Sequence, residues 1–104
     1  MSSQGGWNPA SDFLYIHPDL ESEIDQAFSN VELALKVAGC KGWSQVYSVR
    51  SFHIPADEAT LALMAKSLKK WCGPEHRPIF TMIGVTSLAD ARMRVEIEVE
   101  AFDS

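Results

Sequence analysis

The stretch Met93-Arg94-Val95-Glu96-Ile97-Glu98-Val99-Glu100-Ala101-Phe102 alternates apolar and acidic residues along its length. Period two marks a strand with unlike faces, because successive side chains leave a pleated backbone on opposite sides. Val95, Ile97 and Val99 therefore share one face, and Glu96, Glu98 and Glu100 form a line of like charge on the other. An apolar strand face has to be covered, so other parts of the chain must lie on it.

Two amphipathic segments fit that role. Asp19 caps the first, Glu21 and Glu23 sit in its first turn where the helix dipole favours anions, and Pro18 lies just outside. Apolar residues recur at Ile24, Ala27, Phe28, Val31, Ala34, Leu35 and Ala38, and Gly39 ends the run. Pro55 and Asp57 open the second helix. Its inner side is expected to carry Leu61, Met64, Ala65, Leu68 and Trp71 or Cys72, before Gly73-Pro74 closes it.

Between the helices, Gln45–Phe52 is rich in β-branched and aromatic residues and predicts a strand. Arg77-Pro78-Ile79-Phe80-Thr81-Met82-Ile83-Gly84-Val85 predicts another, running to about Thr86. Residues 1–18, rich in Gly, Ser, Asn and Pro, predict loop or extended chain. The order helix, strand, helix, strand, strand gives one α+β domain over 1–104, with two helices packed on one face of a mixed β-sheet. Three strands make a narrow sheet, and its second face must meet water or another subunit.

Composition narrows the function classes. With 104 residues, 46% hydrophobic and 22% charged, the chain sits in the range of ordinary one-core globular domains. A net charge of -5 and no basic cluster longer than Lys69-Lys70 make nucleic acid an unexpected partner. No apolar run approaches the ~20 residues that cross a bilayer, and MSSQGGWNPASD lacks the cationic and apolar regions of a secretory signal. A cytoplasmic setting with reduced thiols is therefore the expectation, with the mitochondrial interior left open.

Cys40 and Cys72 fit no CxxC pattern, and His17, His53 and His76 no zinc-site spacing, so neither metal nor cofactor is expected. Cys72 reads as a buried structural thiol. Trp7 and Trp43 read as partly exposed loop residues. The acidic stripe has two readings: a solvated sheet face partly neutralised by Arg50, Arg92 or Arg94, or a proton-transfer group in a cleft.

The pair RPIFTMIGV and RVEIEVEAF resembles the end of the Rid family (YjgF/YER057c/UK114, also called endoribonuclease L-PSP). FSNVELALKVAGCKGWSQVYSVRSF is similar to the family's helix, glycine turn and strand, and Ser2-Ser3-Gln4 to the Ser-Gly-Gln that ends its opening β-hairpin. The resemblance implies a YjgF/chorismate-mutase-like fold assembled as a homotrimer, with small-molecule sites in the intersubunit clefts. It further implies hydrolysis of enamine/imine products of amino-acid dehydratases to ammonia and a 2-keto acid. An arginine clamps the substrate carboxylate and a glutamate positions the attacking water.

Carried onto this chain, the glutamate falls on Glu96, the catalytic candidate. The clamping arginine falls on Phe80, and the residue two beyond it, often a cysteine, on Met82. Ser3 takes the middle of the Ser-Gly-Gln triplet, whose backbone can face ligand. The family's first strand, with the aromatic residue that precedes it, is expected to be missing.

An arginine fork makes two charge-assisted hydrogen bonds to a carboxylate and phenylalanine makes none. At about 1.5–3 kcal/mol each, losing both costs on the order of 10²–10⁴ in affinity for an imino acid. Arg77 is an odd number of residues from Phe80, hence on the opposite strand face, while Arg50 or Arg94 could substitute. The expectation is a trimeric small-molecule-binding protein that is not a standard deaminase. The alternatives are a 2-iminobutanoate/2-iminopropanoate deaminase with a substitute cation and, more weakly, an endoribonuclease, which the acidic balance opposes.

Overall fold

The computed structural model describes residues 2–5, 19–73, 75–88 and 93–102. In chain order these form β1 (Ser2–Gly5), α1 (Leu20–Val37), a 3-10 turn (Trp43–Gln45), β2 (Val46–His53), α2 (Glu58–Cys72), β3 (Ile79–Gly84) and β4 (Val95–Ala101). One mixed sheet runs β1-β4-β2-β3. β4 is antiparallel to β1 and β2, while β2 and β3 run parallel, the arrangement that needs a crossover and receives α2. Both helices pack on the sheet, as the amphipathic patterns require.

Among the described residues the strands number four, one more than the three expected. β1 lies in the stretch read as loop or extended chain, and pairs along β4 from Ser2 opposite Val99 to Gly5 opposite Glu96. Its sequence, SSQG, contains no apolar residue to alternate, so its strand character comes from the backbone partner that β4 offers.

The helix ends follow their sequence signals. Asp19 accepts a hydrogen bond from the Ser22 amide at 2.9 Å, and Asp57 one from the Thr60 amide at 2.9 Å. Gly42 has φ 102°, a left-handed backbone that favours glycine at this turn.

The core joins Ile24, Phe28, Val31 and Leu35 of α1 to Val49 of β2, Met64 of α2, and Val95, Ile97 and Val99 of β4. Trp43 belongs to it too, correcting the expectation of partial exposure. Its indole is 1% exposed, stacks on Phe28 at 4.7 Å and donates to the Phe28 carbonyl at 2.9 Å. The inner face of α2 is also rotated from the one expected. Leu61 is 47% exposed and Ala65 is exposed, while Thr60, Met64, Ser67 and Cys72 are buried. Thr60 tolerates burial because its hydroxyl donates to the Pro55 carbonyl at 3.3 Å.

One carboxylate sits inside this layer. Glu23 is fully buried and accepts from the Arg94 amide at 2.8 Å and from Arg94 Nε at 2.7 Å, tying the first turn of α1 to the entry of β4. The helices are joined outside the core by Lys66–Glu21 at 2.5 Å and Lys70–Asp25 at 2.8 Å. Arg94→Met should strand a buried charge and lower the unfolding free energy in urea by about 3 kcal/mol. Adding Glu23→Leu should recover much of that loss; a single variant as stable as wild type would show that the pair holds nothing together.

Candidate functional site

Strand register decides which candidate residues share a face. Glu98 is flanked by Ser3 on β1 and Arg50 on β2, and Arg50 by Thr81 on β3. Glu96 is flanked by Gly5 and Phe52, and Glu100 pairs with Ser48. These rows form the face turned away from the helices. Arg50 Nε donates to Glu98 Oε1 at 2.8 Å, Nη2 bonds the same oxygen, and Nη2 stands 4.0 Å from Glu100. Tyr47 donates to Glu100 Oε2 at 3.3 Å, and its ring meets Phe102 at 4.8 Å between centroids. The Glu100 charge, disfavouring a phenolate beside it, raises the Tyr47 hydroxyl above its ordinary value.

Of the three arginines expected to neutralise the stripe, Arg50 does so. Arg94 instead serves the buried Glu23, and Arg92 lies outside the described residues.

Phe80 and Met82 belong to the other face. Phe80 pairs with Val49 and Met82 with Ser51, two buried residues on the helix-covered side. Phe80 is half-buried and packs on the core cluster. β2 stands between β3 and β4, so Phe80 is two strand spacings from β4, about 9.6 Å, and on the opposite side from Glu96. A single chain thus places Ser3 and Glu96 on neighbouring strands but separates them from Phe80 and Met82. No one face of the sheet joins all four.

Sequence reasoning passed over a polar pair on the covered face. Ser51 and His53 are both fully buried and share a hydrogen bond of 2.8 Å between Oγ and Nε2. His53 Nδ1 has no hydrogen-bond partner among the described residues. Burial pushes the imidazole pKa down to about 4, against a smaller opposing pull from Asp57. The two-residue spacing of Val49, Ser51 and His53 was the available signal. Burial also pushes the Cys72 thiol up to about 11, which leaves it a poor nucleophile at neutral pH. Among the described residues no three His, Cys, Asp or Glu side chains gather to hold a metal ion, and no helix is long and apolar enough to cross a membrane.

The family described as Endoribonuclease L-PSP matches residues 1–102. Among solved structures, the chain is similar to YyfB of the conserved Rid protein family from Yersinia pestis, at 26% identity and TM-score 0.80, over 96% of this chain and 74% of that one. It is similar to the protein YJGH at 28% identity and TM-score 0.79, over 96% and 72%. E. coli TdcF with bound serine shares the fold at 20% identity and TM-score 0.83, over 99% and 78%. No curated protein matches the chain.

The buried imidazole gives a pH signature. An unfolded histidine takes its proton near pH 6.5, and folded His53 only near 4. Between those values the unfolded state binds more protons, so stability falls as pH drops from 6.5 towards 4 and levels off below. The loss attributable to His53 should reach about 3 kcal/mol. Denaturant titrations at pH 7 and pH 4.5 on wild type and His53→Leu measure it: the variant should lose clearly less on acidification, and equal losses would refute the assignment.

Proposed function

The chain belongs to the endoribonuclease L-PSP family, the Rid/YjgF group, and from that membership we propose a homotrimeric small-molecule-binding protein whose intersubunit clefts no longer prefer anionic imino acids. Phe80 carries this reading. By the family resemblance it falls where Rid deaminases clamp a carboxylate with arginine, and its ring is held against the core. The nearest substitutes that the sequence offered are engaged elsewhere, Arg50 with Glu98 and Arg94 with Glu23. A ligand there gains apolar contact and loses a bidentate ion pair.

Assembly through the open sheet face accounts for the division of the candidate site. That face exposes Ile79 at 71% and Phe102 at 64%, apolar area of the kind that subunit contacts cover. In a three-fold ring each contact joins unlike patches of two copies, so Glu96 of one copy can approach Phe80 of the next. TdcF holds serine on the same fold, and we infer a ligand of comparable size and lower charge here, met in a cytoplasmic setting. Glu96 supports the second reading, an enamine/imine deaminase, because the family resemblance assigns it the water-positioning role and it lies on the face away from the helices. Among the described residues no cationic face supports RNA cleavage, and the chain's net charge is -5.

Light scattering on the purified protein should give about three times the 11.5 kDa chain mass. In a coupled assay with a dehydratase generating 2-aminoacrylate, ammonia release should match the spontaneous rate, and Glu96→Gln should change nothing. Phe80→Arg should bring a measurable gain. Wild-type turnover at enzymatic speed, abolished by Glu96→Gln, would establish the deaminase instead.

A further inference from the structure

The lysines of α2 divide into two groups. Lys66 and Lys70, one turn apart, each reach a carboxylate on α1. Lys69 lies off that stripe and makes no ion pair among the described residues, and neither does Arg77, just before β3. Both line one cleft of about 230 Å³, whose walls also include Ala65, Leu68 and Pro78, with His76 at the side. His76 is anchored there, its Nε2 donating to the Val46 carbonyl at 2.6 Å. Among the described residues no carboxylate lines the cleft, in a chain with 14 acidic residues against 9 basic ones. A lysine in the last turn of α2 complements the helix dipole, which accounts for Lys69 but for neither Arg77 nor the apolar walls.

We propose that this cleft binds a small carboxylate with an apolar body. Arg77 and Lys69 receive the carboxylate, and Leu68, Ala65 and Pro78 cover the hydrocarbon. The volume lies below the range of drug-sized pockets, which suits a metabolite of modest size. Charge decides the class: two cations without an ion pair among the described residues, beside apolar walls, favour an amphipathic anion over a neutral or cationic ligand. The site is built within one chain, so it stands independently of the intersubunit reading of Phe80.

Phenylacetate, with phenylacetamide as the neutral control of the same shape, tests the proposal by NMR titration of the ¹⁵N-labelled full chain. Saturable shifts are expected at the amides of Leu68, Gly73 and His76. Arg77→Gln and Lys69→Gln should each weaken binding by roughly tenfold, and phenylacetamide should bind more weakly than phenylacetate. The proposal is overturned by equal binding of the amide, by wild-type titrations in both glutamine variants, by shifts centred on Phe80 and Met82, or by no saturable shift in the low-millimolar range.

Discussion

The alternation along β4 is the constraint on which the structure rests. β4 lies between β1 and β2 and is the one strand hydrogen-bonded to antiparallel partners on both sides. Val95, Ile97 and Val99 are buried at 0%, 0% and 1% exposure, and a slip of one residue would exchange them for three carboxylates. That penalty fixes the register of β2 on β4, and the pairing of β2 with β3 passes it to the sheet edge. Phe80 and Met82 face the helices because Val49 and Ser51 do.

Two acidic environments on the same domain show how the fold spends its cations. Glu98 and Arg50 meet on the face away from the helices with side chains 22% and 43% exposed, where solvent screening leaves such a pair weak. Glu23 is fully enclosed, and an unpaired carboxylate there would be costly. Arg94 is consequently held on the helix side, although its place next to β4 made it a natural neighbour for the glutamate stripe. A structural demand at the first turn of α1 thus holds this cation to a buried carboxylate.

Much of the fold was legible in the sequence, because its signals are local. Asp19 and Asp57 cap as read, Gly39 and Gly73 follow the helix ends, and the period-two pattern of β4 holds throughout. What stayed hidden depends on partners distant in sequence. SSQG has no pattern of its own and becomes a strand only beside β4. Trp43 is drawn inward by the Phe28 ring and carbonyl, fifteen residues earlier in the chain. Thr60 and Ser67 take inward positions on α2 that apolar counting gives to Leu61 and Ala65. The separation of Glu96 from Phe80 follows from pairing across three strands, and no single strand announces it.

The open face limits what any assembly through it can be like. Glu96, Glu98 and Glu100 line it, and among the described residues Arg50 reaches two of these carboxylates. Charged carboxylates do not enter a dry interface cheaply, since desolvation is costly. Copies meeting here would therefore press together at the apolar margins, around Ile79, Tyr47 and Phe102, and keep the glutamate rows hydrated. A wet centre bounded by apolar contacts leaves room for water beside Glu96, the one reagent a hydrolytic relative needs there. Among the described residues the cation on that face, Arg50, is already shared between Glu98 and Glu100.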